Sequence, residues 1–211
     1  MIDDLRGLYG VADSGVRPEL PLIEKVRALL QGGARVVQLR QKREGAREAL
    51  AVARLAVPLC HARGARCVVN DRLDVALLAH ADGVHLGDSD LPVDRARALA
   101  PGLLIGATVR DLAGAQAAGR AGASYVGLGP IFGTRTKRVN VPPRGLEMLA
   151  EVVRGAALPV VAIGGIDLAR IGDVARAGAA MAAVVSAPFD GGDPAEATRA
   201  LALAFSRGAA A

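Results

Sequence analysis

The sequence predicts an α/β fold, namely a (β/α)₈ TIM barrel that forms one domain over residues 1–211. Two observations support this prediction. Eight short runs with β-branched residues alternate with longer segments rich in Ala, Leu and Arg, and such alternation indicates parallel strands joined through βαβ units. No linker or low-complexity tract divides the chain, and its 211 residues are close to the smallest size at which eight units close into a barrel.

The predicted strands are apolar runs that follow a helix and a turn. They cover 6–13, 35–40, 66–70, 83–87, 103–108, 125–129, 159–164 and 181–186. The segments between them carry apolar residues at three- and four-residue spacing, as in 22–33 and 47–64, which is typical of helices packed on a sheet. A left-handed C-cap is expected at the glycines that follow several helices, namely Gly32-Gly33, Gly64, Gly122 and Gly178.

An open, doubly wound sheet is the main alternative fold. That fold would normally show a glycine-rich phosphate-binding turn after its first strand. The segment YGVADSGVRP at 9–18 contains no G-x-G-x-x-G pattern. The first turn therefore favours the barrel.

The composition indicates how the core is built and which ligands the chain prefers. Hydrophobic residues make up 52% of the chain and aromatics only 2%, without Trp, so Ala, Val, Leu and Ile have to fill the core. The net charge is +5. The arginines are dispersed along predicted helices, with no basic tail and no interleaved aromatics for base stacking. We therefore expect small anionic ligands, and we do not expect nucleic acid as a partner.

Features of export and membrane insertion are missing from the sequence. The segment MIDDLRGLYG at 1–10 lacks the basic start and apolar core of a signal peptide, and no run of eighteen residues is free of charge. Cys60 and Cys67 are too few for a disulfide framework. We expect a cytoplasmic protein with reduced thiols and without a membrane partner. The oligomeric state stays unknown from the sequence.

Cationic and amide side chains follow the second predicted strand. Gln38, Arg40 and Lys42 point the same way if the strand continues, because side chains alternate along a strand. Arg as a bidentate fork and Lys as a compact charge are suited to binding phosphate. The alternative is a solvated, charged turn that opens the next helix. Lys42 favours the binding site, since the chain contains three lysines and twenty-three arginines.

Carboxylates and an amide follow the third and fourth predicted strands. Asn70 and Asp71 end one strand, Asp90 follows the next, and neighbouring strands of a barrel bring their carboxyl ends to one rim. Mg²⁺ takes one or two carboxylates together with water and phosphate oxygens. The pattern thus predicts a Mg²⁺ site at Asp71 and Asp90, with helix capping as the alternative. His85, on an apolar strand, is interpreted as a packed core residue.

Hydroxyl groups follow the fifth and sixth strands. Thr108 either offers its hydroxyl to a ligand or caps the helix that begins near residue 111. Thr134, Thr136 and Lys137 open a long polar segment, 133–145, and two hydroxyls with one ammonium suit an anionic ligand. A surface turn stiffened by Thr–backbone hydrogen bonds is the alternative.

Glycines and a serine follow the last two strands. Gly164 and Gly165 end the seventh strand, and Val185 and Ser186 end the eighth. Barrels frequently bind phosphate at these two loops, where glycine lets a ligand approach the backbone. Helix–strand packing would also account for the glycines. Together the strand ends predict two anion sites, one of them assisted by a metal, and this layout suits the joining of two phosphorylated molecules.

Seven ordered segments of the chain resemble the thiamine-phosphate synthase family, and the resemblance runs over nearly the whole length. They are LYGVAD at 8–13, VVQLRQK at 36–42, VVNDRLDVAL at 68–77, ADGVHLGDSDLP at 81–92, YVGLGPIFGTRTK at 125–137, VVAIGGI at 160–166 and AAVVSA at 182–187. That family has a Mg²⁺-dependent (β/α)₈ barrel. It joins an aminopyrimidine methyl diphosphate to a hydroxyethylthiazole phosphate and releases pyrophosphate.

The resemblance implies a role for each matching residue. The residues implied for the pyrimidine diphosphate are Gln38, Arg40, Lys42, Asn70 and Lys137, of which Arg40, Lys42 and Lys137 would assist the leaving pyrophosphate. The residues implied for Mg²⁺ are Asp71 and Asp90. The residues implied for the thiazole phosphate are Thr134, Thr136, Gly165, Val185 and Ser186.

The fifth strand departs from the family pattern. The family usually has Gly-x-Ser-x-His there, whereas this chain has Gly106, Thr108 and Arg110. Thr108 keeps the hydroxyl and adds a methyl group where the pyrimidine is expected. Three alternatives stay open: a related thiazole tautomerase, another phosphate-handling barrel isomerase, and a non-catalytic sensor of a phosphorylated ligand. The intact TRTK segment and Arg110 argue against the tautomerase, which uses a His near that point.

Overall fold

Eight parallel strands form a closed barrel, in agreement with the predicted fold class. The protein is described by a computed structural model that covers residues 5–134 and 142–210. The strands are β1 (Gly7–Asp13), β2 (Val36–Arg40), β3 (Arg66–Asn70), β4 (Gly83–Leu86), β5 (Leu104–Val109), β6 (Tyr125–Leu128), β7 (Val160–Ile163) and β8 (Met181–Val184). Each strand pairs with its sequence neighbours, and β1 closes the barrel against β8. The eight predicted strands are confirmed.

The helices follow the strands one by one around the outside. They are α1 (Leu22–Gln31), α2 (Ala46–His61), α3 (Leu73–Leu78), α4 (Val93–Leu99), α5 (Leu112–Arg120), α6 (Gly145–Gly155), α7 (Ile171–Arg176) and α8 (Pro194–Ala209). A 3₁₀ turn, Ala187–Phe189, precedes α8. Within the described ranges, none of these helices is long and apolar enough to cross a membrane.

The core has two parts, as expected for a barrel covered by helices. Small and aliphatic side chains of the outer strand faces pack against the helices in two large clusters. A third cluster, made almost entirely of strand residues that include Tyr9, Val36 and Tyr125, fills the interior of the barrel. Because side chains alternate along a strand, the residues that continue these inward positions reach the carboxyl end of the barrel. Gln38 and Arg40 of β2 are of this kind.

The glycines after the helices largely adopt the predicted conformation. Gly33, Gly64, Gly122 and Gly178 have φ between 63° and 95°. Gly32 differs, because its φ is −78° and it lies in a right-handed conformation. A Cβ atom on Gly32 would lie 2.2 Å from Thr198 Cβ, so close contact with α8 accounts for this glycine.

Candidate functional site

A cavity of about 470 Å³ opens at the carboxyl end of the barrel. Every strand, or the residues directly after it, contributes to its walls. A neighbouring cavity of about 560 Å³ lies between the loops that follow β4 and β5, and it shares Asp88, Thr108 and Arg110 with the first. Ligands of (β/α)₈ barrels bind at this end, so the first cavity is the candidate active site.

The predicted residues of β2 line this cavity, and an ion pair holds one of them. Gln38 and Arg40 both face the cavity. Arg40 Nη1 donates to Asp13 Oδ2 at 2.5 Å, and only 5% of the Asp13 side chain is exposed. Asp13 Oδ1 also accepts a hydrogen bond from the Gly15 backbone N–H at 2.8 Å. The Arg40 guanidinium is therefore fixed at the mouth rather than free in solvent.

Lys42, Asp71 and Asp90 come together at the rim. Lys42 Nζ donates to Asp71 Oδ2 at 2.5 Å, and Asp90 Oδ2 accepts from the Gly87 backbone N–H at 2.7 Å. Burial raises the pKa of Asp90, and the neighbouring Asp71 carboxyl raises it further, although the Gly87 N–H and the Lys42 ammonium act in the opposite direction. The two carboxyl groups therefore lie close enough to interact.

Helix capping does not account for these two carboxylates. The residue before α3 is Arg72 and the residue before α4 is Pro92, and neither helix has a side-chain cap hydrogen bond. Asp71 instead adopts φ 64°, a left-handed conformation that a non-glycine residue adopts at a cost. The backbone turns the Asp71 carboxylate toward Lys42.

The pair fits a magnesium ion. Mg²⁺ keeps several waters and takes one or two carboxylates in addition to substrate phosphate oxygens. No group of three or more His, Cys, Asp or Glu side chains in 5–134 and 142–210 is arranged to hold a metal. Two carboxylates beside a cationic rim suit a metal that arrives with a phosphorylated substrate better than a fully protein-bound one.

Asn70 lines the cavity wall and contains a buried polar atom without a partner. Its Nδ2 atom is buried and has no hydrogen-bond partner among the described residues. A buried amide without a partner costs about 1–3 kcal/mol.

Thr108 lines the cavity and does not cap a helix. Asp111 caps α5 by accepting a hydrogen bond from the Gly114 N–H at 2.8 Å. The Thr108 hydroxyl Oγ1 instead lies 3.0 Å from His85 Nε2. His85 faces the cavity and is only partly buried, so the interpretation of His85 as a packed core residue is wrong.

The two glycines after β7 are required because the loop that follows β6 lies directly against them. Gly164 and Gly165 have φ of 101° and 65°, and a Cβ on Gly165 would lie 2.3 Å from the Gly133 carbonyl oxygen. Helix packing does not explain them, because the close neighbours belong to the loop after β6. Gly164 lines the cavity and Gly165 does not.

The remaining predicted residues follow β6 and β8. Thr134 and Val185 line the cavity. Ser186 lies directly after Val185 and begins the 3₁₀ turn. Thr136 and Lys137 lie outside the described residues.

Arg110, the second residue that departs from the family pattern, directly follows β5 and lies at the cavity. The Arg110 guanidinium forms an ion pair with the Asp88 carboxylate, and both side chains line the cavity while more than half exposed. Arg110 therefore lies at the site and is paired.

Among the described residues, sequence reasoning missed five polar side chains that line the cavity. They are Tyr9, Asp13, His85, Asp88 and Tyr125. Asp13 could have been proposed from the sequence, because it ends the first predicted strand just as the other candidate residues end their strands. Both tyrosines of an aromatic-poor chain also lie in predicted strands.

Comparison with known proteins identifies the relatives of this chain. A family model described as thiamine monophosphate synthase matches residues 8–187. The thiamine-phosphate synthase of Myxococcus xanthus is 56% identical over 204 residues, which cover 96% of this chain and 94% of that protein. The thiamine-phosphate synthase of Anaeromyxobacter dehalogenans is 50% identical over 208 residues, which cover 98% of this chain and 91% of that protein.

Solved structures give the same result. The thiamine phosphate pyrophosphorylase of Pyrococcus furiosus superposes with a TM-score of 0.91 at 36% identity, covering 99% of both chains. A 3-hexulose-6-phosphate synthase superposes with a TM-score of 0.70 at 19% identity over 94% of this chain and 99% of its own, and this likeness concerns the fold alone. The matched family model and the two relatives above 30% identity establish that the chain belongs to the thiamine monophosphate synthase family.

Proposed function

We propose that this chain is a transferase that makes thiamine phosphate. It joins hydroxymethylpyrimidine diphosphate to hydroxyethylthiazole phosphate and releases pyrophosphate, in a reaction that depends on Mg²⁺. The observation that carries the proposal is the meeting of Arg40, Lys42, Asp71 and Asp90 at one rim of the barrel, in a chain that is 56% identical to a thiamine-phosphate synthase.

The diphosphate end of the pyrimidine substrate belongs beside β2 and β3 in this proposal. Arg40 supplies a fixed guanidinium, and Lys42 supplies an ammonium that turns from Asp71 to the incoming phosphate. Asn70 contacts the same substrate from the cavity wall. Gln38 and Thr108 contact the ring deeper in the cavity, where both residues lie.

Asp71 and Asp90 are the residues that would hold the metal. When bound, Mg²⁺ neutralises charge on the diphosphate and so favours its departure. Lys42 Nζ lies 2.5 Å from Asp71 Oδ2, so its ammonium would be available to the leaving group when Asp71 holds the metal.

The chemical step needs no protein nucleophile. The electron-rich aminopyrimidine ring stabilises positive charge on its methylene carbon as the C–O bond to the diphosphate breaks. The thiazole nitrogen then forms the new C–N bond at that carbon. The protein contributes positioning and fixed positive charge, which act where charge develops.

The thiazole phosphate belongs at the loops after β6, β7 and β8. Thr134, Gly165, Val185 and Ser186 supply hydroxyl and backbone groups there, and Thr136 and Lys137 belong to the same proposal from the sequence alone. We propose a cytoplasmic location for this enzyme.

The decisive experiment is a pyrophosphate-release assay with both organic substrates and Mg²⁺. Release that requires both substrates supports the proposal. Binding without turnover would instead indicate a sensor, and a change in the thiazole alone would indicate the tautomerase.

Lys137→Ala tests the assignment of the leaving-group lysine. Loss of one preorganised donor to developing negative charge lowers kcat by about 10²-fold or more. Single-turnover kinetics at saturating substrates give the measurement. Lys25→Ala does not serve as its control, because Lys25 is buried; Arg154→Ala, on the exposed face of α6, does. Normal turnover by Lys137→Ala would contradict the assignment.

A further inference from the structure

A chain of side-chain hydrogen bonds crosses the floor of the cavity from β2 to β5. Gln38 Nε2 donates to Tyr9 Oη at 2.9 Å, and Tyr9 Oη lies 3.0 Å from Tyr125 Oη. Tyr125 Oη lies 3.2 Å from His85 Nδ1. His85 Nε2 lies 3.0 Å from Thr108 Oγ1. All five residues line the cavity, so the chain ends in two groups that a ligand can reach.

The surrounding backbone leaves room for this arrangement. The protein has only two tyrosines and no Trp, and both tyrosines belong to the chain, with their ring centroids 6.1 Å apart. A Cβ on Gly106 of β5 would lie 2.2 Å from Tyr125 Cζ, and one on Gly127 of β6 would lie 3.0 Å from His85 Cε1. Two strands therefore lack side chains where the rings lie.

In one arrangement of the protons, donation runs along the whole chain in a single direction. Gln38 donates to Tyr9, the Tyr9 hydroxyl donates to Tyr125, and Tyr125 donates to His85 Nδ1, at distances that fit either tyrosine oxygen as the donor. The imidazole proton then lies on Nε2 and is donated to Thr108, whose own hydroxyl proton points to the cavity. The Gln38 carbonyl oxygen is left as an acceptor.

Turning the Gln38 amide over reverses every proton in the chain. Tyr9 then donates to Gln38 Oε1, and Thr108 donates to His85. The Gln38 amino group becomes the donor toward the cavity, and the Thr108 oxygen becomes the acceptor. In both of these arrangements one end of the chain accepts and the other donates, and the three residues between them link the two ends.

We propose that Tyr9, Tyr125 and His85 are positioning residues that couple Gln38 to Thr108 and thereby recognise a flat ring that carries both a ring-nitrogen acceptor and an amino donor. The inference rests on the proposed function, in which an aminopyrimidine enters this cavity. A ring without the amino group leaves one end of the chain unsatisfied, and a buried polar group without a partner weakens binding. Linked hydrogen bonds also polarise one another, so the penalty is shared by the whole chain.

Tyr125→Phe tests the coupling, because it removes one oxygen in the middle of the chain and leaves both end residues in place. Calorimetric titration with aminopyrimidine methyl diphosphate, and with its analogue that lacks the amino group, gives two dissociation constants without any turnover. We expect the wild type to prefer the aminopyrimidine by at least about tenfold, and the variant by only about threefold or less. Tyr9→Phe breaks the next link and gives the same loss.

Ser124→Ala is the matched control. Ser124 is buried and adjacent to Tyr125, but its hydroxyl oxygen accepts hydrogen bonds from the Ile105 N–H and from Arg97 at 3.1 and 3.0 Å, away from the cavity. Its removal lowers the melting temperature and leaves the preference for the aminopyrimidine unchanged. A merely structural role for the tyrosines would give the same pattern as this control.

The outcomes separate the inference from the proposed function. The proposed function is contradicted if the wild type binds the aminopyrimidine diphosphate but releases no pyrophosphate when both substrates are present. Even then, a loss of preference in both Tyr variants supports the coupling. A fully active wild type whose folded Tyr125→Phe and Tyr9→Phe variants keep the full preference overturns the coupling alone.

Discussion

At the scale of single residues, the positions of the cationic side chains in the cavity depend on ion pairs with neighbouring carboxylates. Arg40 and Lys42 are the cations that the strand-end pattern predicted, and each is paired with a carboxylate, Asp13 or Asp71. The two pairs differ in burial, because 5% of the Asp13 side chain and 19% of the Asp71 side chain are exposed. Arg40 is thus a fixed cation, whereas Lys42 has an exposed ammonium that can exchange partners.

Asp13→Asn is expected to weaken the interaction with Arg40 while keeping the shape of the side chain at position 13. The amide oxygen still accepts from the Gly15 N–H, but the charge that fixes the guanidinium is gone. We expect kcat/KM for the pyrimidine diphosphate to fall about 10- to 100-fold, as for a displaced anion-binding group. Steady-state kinetics measure the effect.

The control for this variant is Asp173→Asn, which breaks the exposed Asp173–Arg176 pair on α7. Exposed pairs of this kind contribute roughly 0–1 kcal/mol to stability, and α7 lies outside the cavity wall. Unchanged kinetics in Asp13→Asn would show that Arg40 is held by other groups.

The contacts between individual side chains of the site could not be predicted from the sequence. Alternation along a strand indicates that Gln38 and Arg40 face the same way, and it does so for any residue at those positions. It does not indicate that Tyr9 of β1 meets Tyr125 of β6, 116 residues away in the chain. The same limit applies to His85, whose side chain faces the cavity although its strand neighbours are apolar.

At the scale of elements, boundaries were predictable because strands and helices have different periods. The strand over 66–70 was predicted at the bounds that the structure gives, and the helix over 22–33 ends two residues earlier, at Gln31. The loops were less predictable, since their conformation depends on distant neighbours. Gly165 illustrates this, because its close contact is the carbonyl of Gly133.

Gly165→Ala tests the fit between the loops after β6 and β7. The added Cβ would lie 2.3 Å from the Gly133 oxygen, in a backbone conformation with φ 65°. The left-handed conformation alone costs about 1–2 kcal/mol, and the collision forces one loop to move. We expect a lower melting temperature and a higher KM for the thiazole phosphate.

Gly64→Ala provides the matched comparison. Its φ is 63°, and nothing lies within 4 Å of the added Cβ in the described part of the chain. It therefore carries the conformational cost without the collision. Equal losses of stability in the two variants, with unchanged KM in both, would remove the argument for a required contact at Gly165.

Asp82 is an anchor at the opposite end of the barrel. Its carboxylate accepts from the Cys67 N–H at 2.8 Å, from His61 Nε2 at 2.9 Å and from Arg66 at 3.1 Å. Burial disfavours the charged form, but these hydrogen bonds outweigh it, so the pKa of Asp82 lies below its ordinary value of 3.8. The anchor joins α2, β3 and the turn before β4.

Asp82→Ala is expected to lower the free energy of unfolding by about 1–3 kcal/mol, because it leaves the N–H of the buried Cys67 without its acceptor. Since the folded pKa is lowered, the contribution of Asp82 is complete above pH about 4 and is lost as the pH falls through the folded value. Urea unfolding at pH 7 and at pH 3 measures both effects. The difference between wild type and variant should shrink in acid, and kcat at 25 °C should stay unchanged. A difference that grows in acid would contradict the pKa direction.

At the scale of the whole molecule, closure of the barrel brings residues from distant segments of the chain together in one site. Lys42, Asp71 and Asp90 follow three consecutive strands, β2, β3 and β4, whose parallel pairing brings their carboxyl ends together. In the proposed function a diphosphate and a cation would bind side by side at this rim and neutralise each other. Binding of one would then strengthen binding of the other by the same factor.

Thermal unfolding with Mg²⁺ and pyrophosphate tests this coupling. A ligand that binds only the folded state stabilises it by an amount that grows with its concentration relative to its dissociation constant. Mg²⁺ or pyrophosphate alone should raise the melting temperature slightly, and both together should raise it by more than the sum. Asp71→Asn and Asp90→Asn each remove one carboxylate and should abolish the excess, whereas Asp173→Asn should keep it. Magnesium pyrophosphate forms in solution in every sample that contains both ligands, whichever variant is present, so only a loss confined to the two rim variants supports a shared site. An excess that survives in both would mean that the ion is held elsewhere.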